Sequence, residues 1–483
     1  MALACCDALR IRFRQQWKSS VVTKQEKWRR ATINSCLLFF ILILGEGFLR
    51  KWPLNSIQAP LVLLRDPLLL VIYFQYCMYK DWKIPLRAMT GIYLMLYFFI
   101  LTIFFQTTYL NFGVNIYAVG LRNYILFVPL SFVMGDTFSR VDVNKFIVVF
   151  LYLTIPSGAV AVVQFYSPID SVINKGIGDD TDFIMQVVTG IVRPYGFFTF
   201  PHAQASYAAL SLAIALIALE RRSELNISTP LFTMSLLAVG SMGVVSGART
   251  YFLGIGMIFI VYTFGAITSP RPGVAAKRGL LMVTAALTLG VLMVFVFPQA
   301  LSTMTERQLA AEDAEGSTAM RAIYMTTEMA SVFGDTPIFG RGIGFGTNAG
   351  AYLSTGSTEW TLAEYEFTRI IQECGPILGS LVVGLRVTLA VWLGVISLRA
   401  NLRTGDISSL VMFGYILPLL FIDQMSGQNT LVSLGWFVVG LVIVLEKTSV
   451  ETLFADKKMT NVKKLFNRNN RGFLNYPKKH IQL

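Results

Sequence analysis

Residues 31–49 read Ala-Thr-Ile-Asn-Ser-Cys-Leu-Leu-Phe-Phe-Ile-Leu-Ile-Leu-Gly-Glu-Gly-Phe-Leu, and this run decides the fold class. From Cys36 to Leu44 it is unbroken apolar sequence, and its length approaches the ~20 residues that a helix needs to cross a bilayer. Eleven further runs of similar character follow, at 59–78, 88–106, 115–135, 144–166, 203–220, 229–246, 249–268, 279–297, 376–397, 407–424 and 429–446. The predicted fold is therefore an all-α polytopic membrane protein of about 12 transmembrane helices. Composition agrees: the 483 residues are 54% hydrophobic and only 14% charged, with mean hydropathy +0.59. A soluble chain carries about 25% charged residues, so an ordinary soluble enzyme, a disordered chain and a disulfide scaffold are excluded. Two histidines, and five cysteines without metal-ligand spacing, argue against zinc chemistry.

The net charge of +13 resembles a nucleic-acid signal, but its distribution speaks for topology. With the N-terminus placed in the cytoplasm, the inner segments hold 29 of the 41 Lys and Arg residues. Eight lie in a basic N-tail (1–30) without the apolar core of a signal peptide, and nine in a basic C-tail (447–483) suited to anionic lipid. Every inner loop then obeys the positive-inside rule, so both termini are predicted cytoplasmic. Spans one to nine occupy 31–297, with an outer loop at 167–202. A large extracytoplasmic loop, 298–375, separates spans nine and ten, and spans ten to twelve occupy 376–446. The large loop holds a helix-like stretch at 317–333 and a glycine cluster at 340–346. Loops of such length usually carry function.

Charged groups at membrane depth are expensive and mark candidate sites. Arg65-Asp66-Pro67 reads as a local structural device. Arg122 in span four has Glu46 and Asp423 as candidate partners, or else contacts substrate. Arg249 opens span eight after Ser246-Gly247-Ala248, small residues that leave room for a bulky anion, and Arg suits bidentate phosphate contact. Its bland alternative is an interfacial Arg that snorkels to the headgroups. Arg193 sits in Arg193-Pro194-Tyr195-Gly196, which leads into aromatic residues and His202. The histidine is read as a hydrogen-bonding residue at a helix start, with general-base catalysis as the alternative. Arg321 falls in the first turns of the loop helix. Arg341 lies among glycines that are expected to turn tightly against the membrane surface. In Glu366–Glu373, Glu366, Arg369 and Glu373 fall within about 60° on a helical wheel. They form either a salt-bridge ladder or a general base beside an anion-binding cation.

Taken in order, these segments resemble the O-antigen ligase and polymerase superfamily (Wzy-type polymerases and lipopolysaccharide ligases). The resemblance rests on four stretches. They are Arg193-Pro194-Tyr195-Gly196-Phe197-Phe198-Thr199-Phe200-Pro201, Ser246-Gly247-Ala248-Arg249, Pro337-Ile338-Phe339-Gly340-Arg341-Gly342-Ile343-Gly344 and Glu373-Cys374-Gly375. It implies a GT-C-like membrane glycosyltransferase of the bacterial inner membrane. Such an enzyme would act on oligosaccharide linked to undecaprenyl diphosphate, by inverting displacement and with neither metal nor cofactor. A flippase and a chain-length regulator are expected partners by the family's pathway logic; nucleic acid is not. Ligases of the family carry a His about eleven residues before a glycine of the final loop. Counted back from Gly375 that position is Glu364, and no His occurs in this loop, which favours a polymerase over a ligase. A diphosphate leaving group needs cations where charge develops: Arg249 first, then Arg193, Arg321 and Arg369. A sugar hydroxyl needs a base: Glu364 or Glu366. Arg122, Arg341 and His202 are secondary candidates.

A transporter also fits twelve spans. Transporters, however, concentrate charge at the midplane within repeated halves, whereas the candidates here gather on the outer side and no repeat is visible.

Overall fold

The computed structural model describes residues 2–83, 86–176, 185–188, 190–270, 295–315, 327–356 and 361–473, with Thr284, Val291, Ile323 and Tyr324 besides. Almost all of it is helical. In chain order the principal helices are α1 (Ala2–Lys51), α2 (Arg65–Tyr79), α3 (Leu86–Gln106), α4 (Val114–Leu121), α5 (Val128–Thr137), α6 (Arg140–Tyr166), α7 (Pro201–Glu220), α8 (Thr229–Val245), α9 (Arg249–Ile267), α10 (Pro298–Glu315), α11 (Asn348–Thr355), α12 (Glu366–Thr404), α13 (Ser408–Phe421) and α14 (Asn429–Phe473). The sheet among the described residues is a hairpin, β1 (Gln186–Val188) paired antiparallel with β2 (Ile191–Val192).

Among the described residues seven helical segments are long and apolar enough to cross a membrane, and the chain is an α-helical membrane protein. They are Thr23–Lys51, Val114–Thr137, Arg140–Tyr166, Pro201–Glu220, Arg249–Ile267, Glu366–Thr404 and Asn429–Phe454. Helices α2, α3, α8 and α13 coincide with four more of the expected apolar runs; α2, at 15 residues, and the apolar stretches Thr90–Gln106, Thr229–Val245 and Ser408–Phe421 are shorter. The ninth run, 279–297, lies almost wholly outside the described residues. The loop that follows opens with α10, an unforeseen helix. Of the helix-like stretch at 317–333, Glu328–Ala330 forms a 3-10 turn, and Arg321 lies outside the described residues.

Local sequence sets the boundaries. Proline stands in the first turn of α5, α7 and α8, where its missing N–H costs nothing. Asp142 accepts the Ser139 N–H at 3.0 Å to start α6, and Arg29 of α1 donates to the same carboxylate at 3.1 Å. The expected fourth span is α4 and α5 joined by a π-helical turn, Arg122–Leu126. Glycines allow close helix approach, as small residues do in bilayers. A Cβ at Gly158 would meet Ala238 of α8, and one at Gly440 would meet Met134 of α5. Aromatic packing of Phe40 against Phe146, Phe150 and Phe437 ties α1, α6 and α14 together.

Helix α12 is not one rod. Gly375 has φ 80° and ψ 166° in its interior, followed by Pro376. The chain reverses there, so that a Cβ at Gly379 would lie 2.8 Å from the Ile371 Cα. Segment 366–374 is a short helix folded back on the long segment 376–404.

Candidate functional site

A cavity of about 150 Å³ opens between α7, α9 and α13. Its polar rim includes Arg193 from the loop after β2, His202 from the first turn of α7, and Glu364 just before α12. Asp423 and Gln424, in the turn after α13, complete it. Leu253, Pro418, Leu419 and Ile422 supply apolar wall. His202 Nε2 lies 2.6 Å from Asp423 Oδ1, with the two side chains 21% and 10% exposed. Gln424 donates its backbone N–H to the same Asp423 oxygen at 3.0 Å and its side-chain amide to the Glu364 carbonyl at 2.6 Å. Ser206 and Tyr415 join hydroxyls at 2.8 Å across the cavity wall. Thr250 Oγ1 and Gln424 Oε1 are buried on the lining residues with no hydrogen-bond partner among the described residues, the condition in which a bound polar group is held most strongly.

The approach to Arg193 is built by burial of polar groups. Gln164 of α6 accepts the N–H groups of Tyr195 and Gly196 at 3.0 and 2.7 Å. Lys51 Nζ, fully buried at the end of α1, donates to the Gly196 carbonyl at 2.6 Å. Gly196 has φ +55°, and a Cβ there would overlap the Gln204 amide. The Tyr195 hydroxyl accepts the Met185 N–H at 2.6 Å, closing the hairpin onto this loop, and burial raises its ionisation above the ordinary phenol range. Arg193 is thus carried on backbone pinned from α1 and α6 and by the hairpin.

The other expected residues divide among different environments. Glu364 is exposed at the cavity rim. Glu366, Arg369 and Glu373 do share one face, and they form a fully buried ion network: Arg369 bonds Glu366 and, at 2.9 Å, Glu373. Arg386 reaches the other Glu366 oxygen at 2.6 Å, and Ser426 donates its N–H and hydroxyl to that oxygen. Arg122 pairs with Asp66, Nη2 to Oδ1 at 2.7 Å, rather than with Glu46 or Asp423. Arg65 pairs instead with Glu46 at 2.6 Å. The Arg-Asp neighbours therefore bind across helices, not to each other. Arg249 opens α9 beside Thr250 of the cavity, but the room expected next to Gly247 is taken by Val187 of β1.

Arg341 is exposed and donates to the Asp335 carbonyl at 3.0 Å. The glycines around it do turn, with φ +84°, +119° and +88° at Gly340, Gly342 and Gly344. They dock on protein rather than on the membrane surface. A Cβ at Gly340 would lie 2.3 Å from the Glu373 carbonyl, and one at Gly344 equally close to that of Ile116. Gln106, at the end of α3, binds this junction from both sides. It donates to the Phe339 and Glu373 carbonyls at 2.5 and 2.8 Å and accepts the Ile343 N–H at 3.0 Å.

Sequence reading named Asp423 only as a candidate partner of Arg122 and passed over Gln424; their signal was a polar pair closing the eleventh apolar run, 407–424. Among the described residues no group of three or more His, Cys, Asp and Glu side chains is arranged to hold a metal ion. No protein-family model matches the chain, and no curated protein does.

Proposed function

We propose that this chain is a bacterial polysaccharide polymerase. It joins repeat units carried on undecaprenyl diphosphate, at the outer face of the cytoplasmic membrane, by inverting glycosyl transfer that needs no metal. The observation that carries the reading is the cavity that gathers Arg193 and His202, from the 193–202 stretch, and Glu364, from the distant segment ahead of α12, onto one rim above apolar walls. Such a site suits an amphipathic donor: polyprenyl chain against Leu253 and Leu419, diphosphate at the Arg193 guanidinium, sugar at the polar rim. Arg249, next to Thr250 of the lining, is the second candidate for the diphosphate. The reading includes twelve spans, cytoplasmic termini, and loops 167–202 and 298–375 outside the membrane. Arg369 and Glu366 act in it as scaffold, since their charges neutralise each other away from solvent.

The test is a glycan-lipid profile of a deletion strain complemented with wild type or with Arg193→Ala or Arg249→Ala. Single repeats accumulating on lipid diphosphate, with polymer lost, support the polymerase. Long polymer stranded on the carrier would make the chain a ligase, and an unchanged profile in the deletion strain would end the glycosyltransferase reading.

A further inference from the structure

We propose that His202 is the proton acceptor for the attacking sugar hydroxyl, with Asp423 as the residue that positions and charges its imidazole; this rests on the glycosyltransferase reading above. The pair joins residues 221 apart in sequence, His202 on the first turn of α7 and Asp423 in the turn after α13. A carboxylate only accepts hydrogen bonds, so Nε2 carries the hydrogen and Nδ1 keeps the lone pair. Asp423 is held in place by the Gln424 N–H on the same oxygen. Among the described residues its ion-pair partner is His202, with no Lys or Arg neutralising it. Its charge is therefore available to an imidazolium formed beside it, the arrangement that makes a histidine an effective base. The other charged or titratable groups on the cavity are Arg193 from the loop after β2, Glu364 and Tyr365 ahead of α12, and Tyr415 of α13.

The carboxylates favoured by sequence are placed less well for this task. Both Glu366 oxygens are occupied by guanidinium groups in a fully buried network. Glu364 is exposed, so its basicity lacks the protection from water that a catalytic base gains in a closed site. In the proposed step the acceptor hydroxyl gives its proton to His202 Nδ1 while its oxygen bonds the anomeric carbon. The bond from that carbon to the diphosphate oxygen breaks, and the electron pair leaves on the diphosphate beside Arg193. The imidazolium returns its proton to water once the products depart.

The experiment uses membrane vesicles from the deletion strain carrying wild type, His202→Gln, Asp423→Asn or Asp423→Glu, supplied with the lipid-linked repeat extracted from that strain. Consumption of the lipid-linked repeat is followed against pH and against its own concentration, and each variant is normalised to its abundance in the membrane. Wild type is expected to lose rate on the acid side through one ionisation. His202→Gln is expected to fall by about 100-fold or more, the scale of general-base catalysis, and to lose that acid limb. Asp423→Asn retains a hydrogen-bond acceptor but no charge; its rate falls through kcat rather than KM, and Asp423→Glu, which restores the charge, recovers part of it. A His202→Gln variant with wild-type rate and profile would overturn the proposal. If that variant fails to reach the membrane, Asp423→Asn decides, and a wild-type kcat in it overturns the proposal. If wild-type vesicles do not consume the lipid-linked repeat, the glycosyltransferase reading itself falls, and this inference with it.

Discussion

Arg386 donates to Glu366 Oε1 at 2.6 Å although the two stand 20 residues apart within one recorded helix. On a straight helix that separation is about 30 Å. The contact exists because the backbone doubles back at Gly375, which brings the start of 366–374 alongside the second turn and beyond of 376–404. The ion network thereby closes over a reversal that hydrophobic packing alone would leave unregistered.

Breaking that network from one side leaves a buried charge without its partner, at a cost of about 3–5 kcal/mol. Arg386→Met is expected to lower thermal stability in detergent strongly, and adding Glu366→Gln to it should recover part of the loss. Scanning fluorimetry of the two variants checks this; Arg386→Met as stable as wild type would remove the network from any account of the fold.

Gly375→Ala should be damaging. Its φ of 80° with ψ of 166° lies in a region essentially reserved for glycine and costs an L-residue about 1–3 kcal/mol, and a Cβ would lie 2.0 Å from the Ile338 carbonyl oxygen. Gly384, farther along the same helix, has nothing within 4 Å of the place a Cβ would take, so Gly384→Ala should be neutral or gain up to about 1 kcal/mol of helix propensity. Equal unfolding temperatures for the two alanine variants would refute the reversal.

Acid sensitivity is expected at the other end of the bundle. Burial favours the neutral Asp406 carboxyl, but Arg221 at 2.9 Å and hydrogen bonds from Ser408 and Ser449 outweigh it and hold the group well below the usual carboxylate range. Arg140 likewise lowers Glu224, through bonds of 2.7 Å. A depressed folded pKa stabilises the fold above the unfolded value, near 4, and this contribution is lost as pH falls below it. Wild type should lose unfolding temperature progressively as pH falls below about 4, the unfolded carboxylate value, and Asp406→Asn should begin lower and fall less. Parallel curves would remove Asp406 as the cause.

Two arginines from the same set of motifs should behave differently in cells. Arg193→Ala is expected to cut polymer output by about 100-fold or more, the scale of losing one charge-stabilising group. Exposed Arg341, bonded to a backbone carbonyl, should tolerate Ala with near-normal output. Gel analysis of lipid-linked glycan at matched protein levels measures both, and the reverse ranking would move the site away from the cavity.

Most helix positions were legible because apolar runs of helical length have few other fates. The start of the tenth run at Pro376 matches the reversal, since a Gly-Pro step both permits and enforces a break. The Glu366–Arg369–Glu373 face was legible from 100° periodicity alone. Partners from distant segments were not: nothing local to Arg122 points to Asp66 rather than Glu46, and nothing near His202 points to Asp423. Those choices depend on which helices neighbour one another. Gly247 illustrates the same gap from the other side. Its small size was visible in the sequence, but the Val187 side chain that fills the space comes from a hairpin 60 residues earlier.

Gln106 carries a consequence for biogenesis. Its side chain is fully buried, and its carbonyl partners Phe339 and Glu373 follow 233 and 267 residues later in the chain. At about 5–20 residues per second, synthesis separates the amide from the Phe339 carbonyl by roughly 10–50 s. Throughout that interval a primary amide at the end of an apolar helix has to find water, headgroups or an insertion factor as its interim companion. That end of α3 is therefore finished only after residues 339–373 have been made, and truncations before residue 339 should leave it open to proteolysis.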